Sequence, residues 1–120
     1  MQRDMDLVRT MLLAVEAHPQ GFAPHPLAIE GYTSAQIGYH STILKEAGLV
    51  EAIDSTSSDD TGPMAIILRL TWQGHEFIEA ARSPSIWSQA KSLMLKAGGG
   101  SFTIWQSVLT QLVKQNLGLS

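Results

Sequence analysis

The chain has 120 residues, of which 44% are hydrophobic and 16% charged, so it can bury a packed core and is too apolar for a disordered polymer. It has no cysteine, which excludes disulfides, thiolate nucleophiles and cysteine-ligated zinc. The net charge of −3 is unevenly placed: all 11 acidic residues lie at or before Glu79, whereas the segment from Ser83 onward carries Lys91, Lys96 and Lys114 and no acid. The opening Met1-Gln-Arg-Asp-Met-Asp lacks an apolar signal core, and no run approaches the roughly 20 apolar residues that span a bilayer, so a cytoplasmic protein is expected.

Residues 3–17 predict a first helix, with Met5, Val8, Met11, Leu12 and Val15 as its apolar stripe. His18-Pro-Gln-Gly21 ends it. The following stretch to Gly31 contains Pro24 and Pro26 and is extended rather than helical, with Leu27-Ala-Ile29 expected as a short strand beside a later hairpin. Ser34 is a suitable N-cap for a helix through Ala47, in which Ile37, Leu44 and Ala47 face inward, flanked by His40 and Ile43. Gly38, Tyr39, Thr42 and Lys45 fall on the opposite side. Gly48 supplies a left-handed stop, and Leu49-Val-Glu-Ala-Ile53 alternates as a half-buried strand.

Asp54 to Pro63 is a polar loop with turn residues throughout, and Ala65-Ile-Ile-Leu-Arg-Leu-Thr71 returns as a second strand. Thr71 caps a helix to Arg82, and Ser83-Pro84 marks a boundary. Two further helices, 85–97 and one capped by Ser101, are separated by Gly98-Gly-Gly100. The expected fold is α+β. A winged helix over residues 1–82 (helix, short strand, recognition-like helix, two-stranded wing, helix) is followed by a helical hairpin over 83–120. The expected winged-helix core is Leu7, Met11, Ile37, Leu44, Leu49, Ile67, Leu70 and Phe77. An ordinary helix-turn-helix has one more helix before the recognition helix. The two glycines and the prolines between Glu16 and Ser34 leave no room for it, so that helix is expected to be missing or reduced to a turn.

Several stretches resemble one family. These are Arg3-Asp-Met-Asp-Leu-Val-Arg9, Ile29-Glu-Gly-Tyr32, Tyr39-His40, Ala47-Gly-Leu49, Leu70-Thr-x-x-Gly-His-Glu-Phe77 and the closing Gly-Gly-Ser-Phe102. The family is a small, prophage-associated bacterial one of unknown function with a winged-helix fold. The resemblance runs along essentially the whole chain. It implies a fold and a bacterial or phage setting, and brings no catalytic or ligand residues. More loosely, His40 to Val50 resembles the H-L-x-x-L-x-x-A-G-L-V recognition helix of bacterial metal- and stress-responsive repressors, with Gly38 where those have serine and Ser41 where they have leucine.

No catalytic or nucleotide-binding fingerprint is present, and the protein is not expected to be an enzyme or to take a cofactor or small-molecule substrate. The histidines at 18, 25, 40 and 75 lack metal-ligand spacing; His18 and His25 share a loop in which they could approach each other, but solvated or hydrogen-bonded histidines are expected rather than a metal site. Asp59 and Asp60 sit in the polar loop, a poor place to hold calcium or an acid–base pair. Gln36, Tyr39, Thr42 and Lys45 form the candidate binding surface, for protein or for double-stranded DNA, and Arg69 is a candidate phosphate contact. An acidic wing opposes counterion release from DNA, which favours a protein partner; a DNA-binding regulator remains the alternative. The C-terminal hairpin is expected to drive homodimerisation through Trp87, Phe102, Trp105 and Leu109.

Overall fold

The computed structural model describes every residue except His25, Asp60 and Ser120, so the possible approach of His18 to His25 and the Asp59–Asp60 pair lie partly outside the described residues. The protein is mixed α+β, with the order α1 (Met5–Glu16), α2 (Ser34–Glu46), β1 (Val50–Asp54), β2 (Ala65–Leu70), α3 (Trp72–Ala81), α4 (Pro84–Lys96) and α5 (Phe102–Asn116). This order is compatible with a winged-helix arrangement. Among the described residues, no helix lies between α1 and α2, and none is long and apolar enough to cross a membrane.

The chain divides into two compact units, Met1–Glu76 and Phe77–Ser120. The division falls inside α3 rather than at Ser83-Pro84. The side chains explain why: the Phe77 ring meets Trp87 edge-on at 6.4 Å and lies 5.0 Å from Phe102, so the second half of α3 belongs with the hairpin. Phe77 is buried as expected, but those two aromatic contacts are hairpin contacts.

In the first unit, Asp4 caps α1 by accepting from the amides of Asp6 and Leu7, which satisfies donors that a helix start otherwise leaves free. The stripe Leu7, Val8, Met11, Leu12 and Val15 is buried throughout. The cap of α2 is Thr33 rather than Ser34. Thr33 Oγ1 accepts from the Gln36 amide while the Gln36 side chain accepts from the Thr33 amide, a reciprocal capping box that Ser34 has no partner to form. The inward face of α2 is Ile37, Gly38, His40, Ser41 and Leu44. Gly38 is therefore inside rather than outward. A Cβ there would come within 3.1 Å of the Pro63 carbonyl oxygen, because the end of the loop that precedes Ala65 lies against it. Ala47, expected inside, is the exposed C-cap, followed by Gly48 at φ +76°.

β1 and β2 pair antiparallel, with Val50 opposite Leu70, Glu51 opposite Arg69 and Ala52 opposite Ile67. The skipped residue, Leu68, is a bulge whose carbonyl turns away from β1 and accepts from the Ala23 amide at 2.9 Å. That bond is where the extended stretch meets the sheet. The short strand expected at Leu27–Ile29 does not form. Pro24 and Pro26 have no amide to donate to a ladder, and Glu30-Gly31 turns at once into α2.

Leu44 is 2% exposed, so Leu44→Ala should destabilise the chain by about 2–5 kcal/mol in chemical denaturation. A loss under about half a kcal/mol, the range of surface substitutions, would show that α2 does not pack through this face.

Candidate functional site

Asp4 is the centre of a junction. Its Oδ1 caps α1, its Oδ2 accepts from the Tyr32 hydroxyl at 3.2 Å, and its amide donates to Nε2 of His40 at 2.8 Å. The other ring nitrogen of His40, Nδ1, donates to the Gln36 carbonyl at 2.8 Å. An imidazole that accepts at Nε2 and donates at Nδ1 is the neutral Nδ1–H tautomer. His40 is 1% exposed, and both of its polar atoms are satisfied. It is a structural tie between α1 and α2, not a ligand-binding group. Burial, and then the neighbouring Asp4 carboxylate, push the Tyr32 hydroxyl above its ordinary pKa.

A second junction joins the exit of α2 to the start of α3. The Thr71 hydroxyl donates to the Gly48 carbonyl and accepts from the Gly74 amide, while the Thr71 amide donates to the Leu49 carbonyl at 3.0 Å. Gly74 is needed because a Cβ at that position would collide with the Leu49 carbonyl oxygen. Arg3–Arg9, Ile29–Tyr32 and Tyr39-His40 thus meet at the first junction, and Ala47–Leu49 with Leu70–Phe77 meet at the second. The stretches that carry the family resemblance are mostly connections between elements. Neither junction was legible in the sequence, since each spans positions far apart in the chain; the Asp4-x-Asp6-Leu7 cap was the one local signal available.

The expected binding residues have different fates. Gln36 is half-buried, and its amide oxygen is used in the capping box. Thr42 donates to the Gly38 carbonyl at 3.2 Å and is half-buried; Tyr39 is half-buried with its ring edge-on to His40 at 5.9 Å. Lys45 is exposed, and its charge helps hold the Asp54 carboxylate below the usual range, after the larger effect of hydrogen bonds from Thr56. Arg69 reaches Glu51 across the sheet at 2.7 Å and the Leu70 carbonyl at 2.9 Å, so its guanidinium would have to leave Glu51 to meet a phosphate face-on. Tyr39, Thr42 and Lys45 occupy successive turns of one side of α2. Beside α2, a cleft of about 150 Å³ lies between Pro24, Pro26, Ile37, Gly38, Met64 and Ile67. Among the described residues, no three histidine, aspartate or glutamate side chains gather as metal ligands.

The residues assigned to a dimer interface lie in the second unit. Trp87 stacks on Trp105 at 4.9 Å, and Trp87, Trp105 and Leu109 are buried, while Phe102 is half-buried against Phe77. One copy of the chain already covers most of their apolar surface.

The fold and its junctions define a small α+β protein in which these stretches join one element to the next, with His75 and Glu76 exposed in the last of them. A family model described as "Hypothetical protein (DUF2513)" matches residues 2–101, and the chain belongs to that family. It is 37% identical over 94 residues to an uncharacterized protein of Haemophilus influenzae, covering 77% of each chain. No solved structure matches it.

Two substitutions test the junctions. Gly74→Ala should cost about 1–3 kcal/mol, as overpacking against fixed atoms does, read as a lower denaturation midpoint. Tyr32→Phe should cost on the order of 1 kcal/mol near neutral pH, because Asp4 loses a donor. Since the folded pKa of Tyr32 is raised, its contribution is complete below the ordinary tyrosine value of about 10 and is lost as pH rises through the folded value. The gap between wild type and Tyr32→Phe should therefore narrow in strong alkali; a constant gap would place the hydroxyl outside the junction.

Proposed function

We propose that the chain is a winged-helix module, of phage or prophage type, that acts in the cytoplasm by binding a protein, a host or phage factor, without catalysis. The observation that supports this most is the charge where a DNA-reading winged helix would meet phosphate. The only lysine or arginine of α2 is Lys45, and its field falls on the ionised Asp54 of the wing. Asp59, further along the wing loop, is held below the usual carboxylate range by hydrogen bonds from Thr61 and Ser57. Such a surface repels a polyanion, because duplex DNA is bound mainly through cations that displace its counterions. The half-buried Tyr39 beside Thr42 instead suits a protein interface, where tyrosine is enriched and charge at the centre is depleted.

A second reading, a DNA-binding regulator of winged helix-turn-helix type, has one observation in its favour. Tyr39, Thr42 and Lys45 line one side of the helix that leads directly into the two-stranded hairpin. A pull-down from host lysate with and without nuclease, comparing wild type with Tyr39→Ala, separates the two. The protein-binding reading expects a nuclease-resistant partner that is lost with the substitution. It also expects duplex affinity no tighter than the roughly 10⁻⁴–10⁻⁶ M of non-specific contacts. Recovery of DNA fragments that disappears in Tyr39→Ala would overturn it in favour of the regulator.

A further inference from the structure

Among the described residues, His40 is the one buried histidine; His18 is half-buried and His75 exposed. Its two hydrogen bonds are specific to the neutral ring. Nε2 accepts from the Asp4 amide at 2.8 Å, and Nδ1 already gives its proton to the Gln36 carbonyl. A second proton can go only to Nε2. There it would face the Asp4 N–H, donor against donor, and that bond has to break. Solvent is near all the same, since Asp4, and Tyr32 bound to it, are only half-buried.

What surrounds the ring decides whether protonation opens the fold or rearranges it. From α1 come the Asp4 carboxylate, on the same residue as the amide, and Asp6, close enough that after burial and Asp4 it also acts on the Tyr32 hydroxyl. Exposed Arg3 precedes them. The turn before α2 brings Tyr32, with Glu30 exposed. On α2 itself the Tyr39 ring lies 5.9 Å away, and Lys45 and Glu46 are exposed at the far end of the helix. β1 and β2, which also pack on α2, bury Val50, Ile67 and Leu70 and leave Asp54 exposed and Glu51 paired with Arg69 in the open. Two carboxylates against one guanidinium leave the junction negative. An imidazolium N–H bound to a carboxylate is a charge-assisted bond, stronger than the neutral one it replaces.

We propose that His40 is a proton-operated latch between α1 and α2: on protonation, Nε2 exchanges the Asp4 amide for the Asp4 carboxylate. The exchange draws that carboxylate away from the amides of Asp6 and Leu7 and from the Tyr32 hydroxyl, so the first turn of α1 loosens while the helices stay formed. The Tyr39 ring, edge-on to His40, shifts with it. The latch goes beyond the protein-binding role of α2 and does not depend on it.

Nuclear magnetic resonance on the full chain tests it between about pH 8 and pH 5, where histidine ordinarily changes charge and carboxylates stay largely ionised. The Nε2 resonance of His40 should move to its protonated position. With the same midpoint, the amide signals of Asp4, Asp6 and Leu7 should shift. Their hydrogen exchange, relative to the free-peptide rate at each pH, should quicken by about fivefold, the factor of one lost hydrogen bond. Amides in the middle of α4 and α5 should keep their protection. His40→Gln retains an acceptor for the Asp4 amide that does not take a proton, so in that variant the three amides should no longer respond. The wild-type titration decides alone if the variant does not fold. A ring that stays neutral down to about pH 5 overturns the proposal, as does one that protonates without moving these amides, or only as the whole chain unfolds. A response that persists in His40→Gln overturns it too.

Discussion

A histidine buried between two helices is destabilising unless both ring nitrogens are satisfied, and in this protein one backbone amide and one backbone carbonyl satisfy them. The amide is that of Asp4, the residue that also starts α1, and the carbonyl belongs to α2 itself. The angle at which α1 enters and the position of α2 are therefore set by one side chain. Asp4 adds a second constraint through Tyr32, in the turn that leads into α2. Such a network has few alternative arrangements, because moving either helix leaves a buried polar group without a partner. The hydrophobic stripes of α1 and α2 supply most of the driving force, yet apolar burial is non-directional and tolerates small rotations. The polar tie fixes which rotation is adopted.

The second junction works differently. There the constraint is space: α3 begins so close to the residue leaving α2 that Gly74 sits against the Leu49 carbonyl, and Thr71 uses its amide and hydroxyl to bridge the two elements. One junction is specified by hydrogen-bond partners and the other by the absence of a side chain. Together they give the threonine and the glycine of L-T-x-x-G-H-E-F a structural role. The threonine and glycine are there for the backbone, while Phe77 serves the packing of the hairpin.

What could be read from the sequence follows from this division. The α1 stripe, Gly48 as a helix stop, the existence of the two strands and the core from Leu7 to Leu70 rest on local patterns, and these match the structure, whereas the expected alternation of Leu49 to Ile53 does not: Leu49 and Val50 are both buried and Ile53 is exposed. Gly38 was misread because a glycine has no polarity to show which way it faces; the loop end at Pro63 and Met64 decides. Leu27–Ile29 was misread because three apolar residues look like a strand until the missing amides of Pro24 and Pro26 just before them are counted. His40 was assigned to the flank of the stripe, since nothing in α2 alone reveals the Asp4 amide waiting in another helix. At the candidate surface, the positions of Tyr39, Thr42 and Lys45 were legible from helical spacing. The engagement of Gln36 in a cap and of Arg69 with Glu51 depends on partners that only the folded chain brings close.

The bulge at Leu68 has a consequence for how this protein behaves among its own copies. A two-stranded sheet has two outer edges, and an open edge is a template on which another strand can grow. On the β2 side that template is interrupted. The bulge breaks the regular spacing of the backbone groups, the Leu68 carbonyl is already occupied by Ala23, and the chain beyond continues through Pro24 and Pro26, which offer no amide to an incoming strand. The bulge, together with the prolines that keep a third strand from forming within the chain, thus also guards the β2 edge against edge-to-edge aggregation. Contacts between copies are left to side chains, which can be selective, instead of to the backbone, which pairs with almost any extended sequence.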